Sequence, residues 1–250
     1  MGTVIAVNGK GGTGKTTVAA LLVDFLVSNK KGSVLAIDAD PNSTLPEALG
    51  VSGHDTIAGI CDEVSKQIGN IPAGMTKERF IEMRIQEALV EEKGFDLLVM
   101  GRPEGPGCYC YVNNLLRDLM ARVIKNYDFV VIDNAAGMEH ISRRTMRAID
   151  KLLLVSDYSI IGIRSAKRIF ELARDLGIRM GSSALVINKV TGFLEPLQLE
   201  MRAVGTKFIG AIPFDKKVDE WSISAKPIFE FEDADIKNTI REMFTKLMEK

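Results

Sequence analysis

The run Gly9-Lys10-Gly11-Gly12-Thr13-Gly14-Lys15-Thr16-Thr17 constrains this chain more than any other feature. An apolar, β-branched segment, Thr3 to Asn8, precedes it, and Val18 to Val27 behind it reads as a helix. That strand–loop–helix setting is what a GxxxxGK[ST] pattern needs before it carries meaning. The glycines let backbone N–H groups converge on phosphate oxygens at a helix N-terminus, where the helix dipole favours negative charge. The run therefore predicts a nucleoside triphosphate site. Gly11, Gly12, Thr13, Gly14 and Thr17 form the cradle, Lys15 reaches the β- and γ-phosphates, and Thr16 places its hydroxyl on Mg²⁺.

Short apolar strands alternate with helical patterns along the rest of the chain, which predicts an α/β fold: a mostly parallel sheet with helices on both faces. The expected strands are Thr3–Asn8, Ser33–Asp38, Phe95–Gly101, Phe129–Asp133, Lys151–Val155, Ala184–Asn188 and Lys207–Ile212. Several end in a polar residue (Asn8, Asp38, Asp133, Asn188), and open α/β sheets build their sites along that carboxyl edge. Between the second and third strands, His54 to Lys93 holds two helical stretches divided by Pro72-Ala73-Gly74. The second carries Ile81, Ile85, Ala88 and Leu89 on one face, so the insertion is either a lid or additional core cover. From Ala234 to Lys250, Ile236, Ile240, Phe244 and Leu247 form a stripe expected to pack on the sheet.

With 250 residues, 46% of them hydrophobic, the chain can bury one large core. A net charge of −1 offers no global field for nucleic acid. No apolar stretch approaches the ~20 residues of a membrane-spanning helix, and no signal peptide precedes the phosphate loop. Three cysteines make no disulfide framework. A reduced, cytoplasmic protein without nucleic-acid or membrane partners is expected.

Ile37-Asp38-Ala39-Asp40-Pro41 ends the second strand with carboxylates at i and i+2, one near Mg²⁺ and one directed at the γ-phosphate. Asp133 closes the buried run Val130-Val131-Ile132 and fits the role of a metal-holding acid, with Gly137 behind it as a flexible switch. Asn188-Lys189 closes a later strand, where an amide can pair with a nucleobase edge. Cys108-Tyr109-Cys110 lies in a Gly- and Pro-rich loop. In an extended segment both side chains share one side and can chelate a soft metal ion. Two thiolates do not complete a tetrahedral or square-planar site; two copies of the chain would. Two ordinary thiols near a helix start remain the alternative. Cys61, within a helical stretch, reads as a packing residue.

The second lysine of the loop, Lys10, resembles the deviant Walker A of nitrogenase iron protein and the Min and Par positioning ATPases. That resemblance implies a SIMIBI-type P-loop ATPase, a homodimer, and Lys10 contacting the partner's phosphates. Taken with Asp38-Ala39-Asp40-Pro41, the segment from Arg102 through Cys110 to Arg117, and Ala136-Gly137-Met138-Glu139-His140, the chain resembles the CooC-type family. These are nickel-insertion accessory ATPases of carbon monoxide dehydrogenase and acetyl-CoA synthase. The resemblance runs nearly end to end and implies one ATPase domain over 1–250, a helical insertion near 54–93 and a metal loop near 102–112. It implies ATP, Mg²⁺ and Ni²⁺ (or Zn²⁺) as ligands, and one of those nickel enzymes as client. Asp40 then positions the attacking water, Asp38 supports the Mg²⁺ shell, and Asn188 with Lys189 binds the nucleotide at the adenine. The family often has an acid before the Ala-Gly pair; Ala135 stands there in this chain. A positioning ATPase and an iron–sulfur redox ATPase are the competing functions.

Overall fold

A computed structural model describes residues 2–66, 71–72, 74–102, 120–136, 148–223 and 226–249. Its centre is an eight-stranded sheet in the order β3-β4-β2-β5-β1-β6-β7-β8. The strands are β1 (Thr3–Gly9), β2 (Val34–Ala39), β3 (Val90–Glu92), β4 (Phe95–Val99), β5 (Phe129–Asn134), β6 (Ala148–Asp157), β7 (Arg179–Val190) and β8 (Lys207–Pro213). Every neighbouring pair is parallel except β3 with β4. β3 is the strand that the sequence reading lacks. It is three residues long, two of them exposed glutamates, and it pairs back through the turn at Lys93 and Gly94, so it shows no apolar period.

Period-two alternation sends successive strand residues to opposite faces. Val4, Ala6, Val130, Ile132, Leu152 and Leu154 join one apolar cluster, whereas Ile5, Val7, Val131, Leu153 and Val155 join the other. A sheet buried on both faces needs cover on each. On one face lie α1 (Lys15–Ser28), the short α2 (Leu45–Leu49) and α8 (Ala234–Met248). Helix α1 is buried without interruption from Val18 to Leu26, which is why this stretch is apolar all round except for Asp24. Helix α8 buries Ile236, Ile240, Met243, Phe244 and Leu247, with Asp233 capping its start.

The opposite face is covered by α3 (Ile57–Lys66), α4 (Lys77–Glu87), α5 (Ile160–Asp175) and α6 (Gln198–Val204). Ile57, Ile60, Cys61 and Val64 of α3 pack in one cluster with Ile81 and Ile85 of α4 and with Leu98 of the sheet. The insertion is therefore core cover, and Cys61 is a packing residue at 5% exposure. After β8 the chain forms α7 (Lys216–Ile223) and a 3-10 turn at Ile228–Glu230 before α8. Among the described residues no helix is long and apolar enough to cross a membrane.

Candidate nucleotide site

The loop from β1 to α1 lies at the carboxyl edge of the central strand, with β5 and β6 on either side. Helix α1 opens at Gly14, whose φ of 85° lies in the left-handed region that glycine adopts without strain. No side chain caps α1 and no acid sits in its first turn. Its leading N–H groups and the positive end of its dipole are thus left for an anion. The loop closes on itself through Thr13, whose Oγ1 donates to the Lys10 carbonyl at 2.9 Å. Thr13 and Lys15 are buried, while Lys10, Gly11 and Gly12 are exposed on the outer turn.

Beside the loop, β2 and β5 place Asp38 and Asp133 in register, both without solvent exposure. Thr16 Oγ1 donates to Asp133 Oδ2 at 2.6 Å, and Asp133 Oδ1 is buried with no hydrogen-bond partner. Burial pushes the Asp133 carboxyl up to about 7; the Thr16 hydroxyl and the Lys15 charge hold it down, and the neighbouring Asp38 and Asp40 raise it further. A buried carboxylate with one orphaned oxygen is unfavourable unless a cation meets it. Hydroxyl plus carboxylate is also a donor set that Mg²⁺ takes in phosphate-loop sites. Thr16 and Asp133 fit that ion.

Asp38 is occupied differently. Its Oδ1 accepts the Asp40 N–H at 2.9 Å and its Oδ2 accepts the Leu45 N–H at 2.8 Å, so it holds both ends of the loop 40–44. Burial lifts its carboxyl to about 6 against these two hydrogen bonds. Asp40 in turn accepts from Asn42 through its backbone N–H at 2.9 Å and its side-chain amide at 3.0 Å, forming a tight turn. At the far end of the loop, Thr44 Oγ1 lies 3.3 Å from Thr16 Oγ1. The loop carrying Asp40 is tied to Thr16 by a residue the motif does not contain.

A cleft of about 300 Å³ runs from Gly12, Gly14 and Lys15 past Asn188 and Lys189 to Pro213, Phe214, Asp215 and Val218, over an apolar floor of Ile228 and Phe231. It offers polar groups at the phosphate end and an apolar slot beyond. Asp215 caps α7, accepting the Lys217 N–H at 2.6 Å. Sequence reasoning missed this far wall; its signal was the Pro-Phe-Asp that ends β8 at the same carboxyl edge. It also missed Asn134, whose amide donates to Asn8 Oδ1 at 3.0 Å and whose own Oδ1 is buried without a partner. Asn188 lies in the cleft, but its carboxamide is engaged by Thr13 and Lys189. Cys108, Cys110, Gly137, Glu139 and His140 lie outside the described residues.

Residues 4–228 match the CobQ/CobB/MinD/ParA nucleotide binding domain family. The chain belongs to this family of P-loop ATPases. An uncharacterized ATP-binding protein of Methanocaldococcus jannaschii is 43% identical over 99% of each chain. The carbon monoxide dehydrogenase accessory protein CooC of Rhodospirillum rubrum is 33% identical over 86% of this chain and 84% of its own length. Among solved structures, the septum site-determining protein MinD of Pyrococcus horikoshii, complexed with Mg-ADP, superposes with a TM-score of 0.71. It covers 100% of this chain and 97% of its own at 20% identity, a likeness of fold.

Proposed function

We propose that this MinD/ParA-family protein is an ATP-driven metallochaperone that binds nickel and delivers it to carbon monoxide dehydrogenase or acetyl-CoA synthase. The observation that carries the ATP-dependent part is the Thr16–Asp133 pair with its orphaned carboxylate oxygen, beside a buried Lys15 and an uncapped helix. Support for the nickel part is the likeness to CooC together with the spacing of Cys108 and Cys110 in the sequence.

Lys15 and the N–H groups of the loop bind and orient the phosphates, and the acid pair Asp38 and Asp133 organises the wall beside them. Mg²⁺, when held by Thr16 and Asp133, supplies charge neutralisation on the phosphates. Asp40 orients the attacking water from the loop that Asp38 and Thr44 anchor. Exposed Lys10 meets the phosphates bound by a second copy, making nucleotide part of a two-fold dimer. Cys108 and Cys110 of both copies then hold one metal ion, and hydrolysis resets the dimer to release it.

ATP can change metal affinity only if the two dimer states bind metal differently. Nickel titrations with and without a non-hydrolysable ATP analogue are therefore expected to give different isotherms. Identical isotherms would remove the coupling. A positioning ATPase uses the same fold, with a membrane or DNA as its surface. The apolar stripe of α8 is buried against the sheet and gives no support to membrane insertion through that helix. Co-sedimentation with lipid or DNA in ATP would promote this second reading.

A further inference from the structure

The apolar wall of the nucleotide cleft is formed by Val218 of α7 and by Ile228 and Phe231 of the turn that follows it. Behind the same three side chains lies a second cavity of about 280 Å³, bounded on its other side by Ala20 of α1, Thr44 and Ala48 of α2. A wall with space on both sides is not fixed by close packing as a core is. Its position depends on what holds its ends. Phe231 stands edge-on to Trp221, with ring centroids 5.5 Å apart at 82°. The indole N–H donates to the Pro227 carbonyl at 3.2 Å, and the Lys226 ammonium lies 5.0 Å from the ring. Wall, indole and Pro227 are thereby joined into one piece.

Pro227 in turn meets Gly50, the residue that ends α2. Gly50 has a φ of 75°, and a Cβ there would stand 2.6 Å from Pro227 Cγ. Glycine is needed at this position twice, for the left-handed backbone and for the close approach. At its other end α2 begins with Leu45, whose N–H is held by Asp38, directly after Thr44, whose Oγ1 lies 3.3 Å from Thr16 Oγ1. A helix of five residues thus runs from the loop that carries Asp40 to the proline that sets the wall. Neither Gly50 nor Pro227 lines the cleft. We infer that the Gly50–Pro227 contact couples the two ends of the cleft. A shift of the Asp40 loop on gain or loss of the γ-phosphate is carried by α2 to Pro227 and moves the wall of Val218, Ile228 and Phe231. Gly50 and Pro227 are positioning residues, acting through a short rigid element between two contacts. This coupling rests on the reading of the cleft as an ATPase site and adds to it a far wall that senses which nucleotide is bound.

Trp221 is the only tryptophan of the chain, so its emission reports the wall without a label. A non-hydrolysable ATP analogue and ADP share base and ribose, so a difference in emission between their Mg²⁺ complexes reports the γ-phosphate. The whole protein, saturated with either as judged by calorimetry, is expected to give two distinct emission maxima. Pro227→Ala keeps the carbonyl that accepts the indole N–H and removes the ring atoms that meet Gly50. In that variant the two maxima should merge, while both nucleotides bind within about threefold of wild type. Gly50→Ala drives the proline ring away, so the emission of the nucleotide-free protein should shift. Adding Pro227→Ala to it removes the clash and should reverse part of that shift, a non-additivity that direct contact produces. Should Gly50→Ala not fold, Pro227→Ala decides alone. Equal emission from the two complexes of a saturated wild type, or a difference that survives in Pro227→Ala, would overturn the coupling and leave the contact as packing, which affects Tm without distinguishing the nucleotides. A wild type that binds neither nucleotide in the calorimeter removes the ATPase-site reading itself, and the coupling with it.

Discussion

Asp133 is fully buried, accepts one hydrogen bond from Thr16, and has a second oxygen that meets no donor. Its carboxyl sits near 7 and that of Asp38 near 6, both above the ordinary 3.8, chiefly because burial penalises the charged form. For a group raised in this way, the folded state binds the proton more tightly than the unfolded chain does. The stability contribution is complete below the unfolded value and is lost as pH rises through the folded one. The ligand-free protein should therefore lose stability from these two acids between about pH 4 and pH 8, and Mg·ATP should restore more at pH 8 than at pH 6. Asp133→Asn is expected to flatten that slope, raise the ligand-free Tm at pH 8 and remove most of the Mg²⁺-dependent gain. Scanning calorimetry across this range checks it, and an unchanged pH slope in Asp133→Asn would show that the buried acid is not its source.

At the scale of elements, the insertion that holds α3 and α4 is informative because its sequence permits two uses. A lid exposes most of its surface in one state and contributes little to the core. Helix α4 instead buries Ile81 and Ile85 in the cluster that covers the face opposite α1, with Thr76 capping its start. Ile85→Ala should cost about 2–5 kcal/mol, as core truncations do, read from denaturant unfolding. ATP affinity of the remaining folded protein should be unchanged, since the phosphate loop and α1 lie across the sheet. A small stability loss coupled to faster nucleotide release would instead mark the insertion as a lid. The edge strand β3 belongs to the same segment, and its antiparallel pairing ends the sheet with two exposed glutamates, a feature that discourages further strand addition.

For the molecule as a whole, metal stoichiometry tests the proposed dimer. Among the described residues no group of three or more His, Cys, Asp or Glu side chains gathers into a metal site. In the proposed site the two thiolates of Cys108 and Cys110 need two more donors, which a two-fold copy would supply. One Ni²⁺ per two chains is expected, measured by equilibrium dialysis with sedimentation of the same samples. Cys108→Ala or Cys110→Ala should weaken binding severely, while Cys61→Ala should leave it intact because Cys61 lies in the core. Metal should also favour the dimer without nucleotide. One tightly held ion per chain at dilutions where the protein is monomeric would exclude the shared site.

The phosphate loop, the strand–helix alternation and the carboxyl-edge acids were legible in the sequence because each rests on local chemistry. Glycine permits left-handed backbone, apolar period reveals a strand or helix, and a parallel sheet needs crossovers that place successive strand ends on one edge. Seven of the eight strands followed from that logic, and β3 did not because three residues carry no period. Tertiary structure decided which groups meet. Thr16 and Asp133 are 117 positions apart, and Asn188 and Thr13 are 175 apart. Their contacts depend on strand order, register and the space that Gly14 leaves. Asp38 and Asn188 show the consequence: pairing with β5 places Asp38 where it accepts the Asp40 and Leu45 N–H groups, and the end of β7 places Asn188 where it donates to the Thr13 carbonyl. Residue identity sets what a side chain can bond to, and the packing of strands distant in sequence selects the partner that lies within reach.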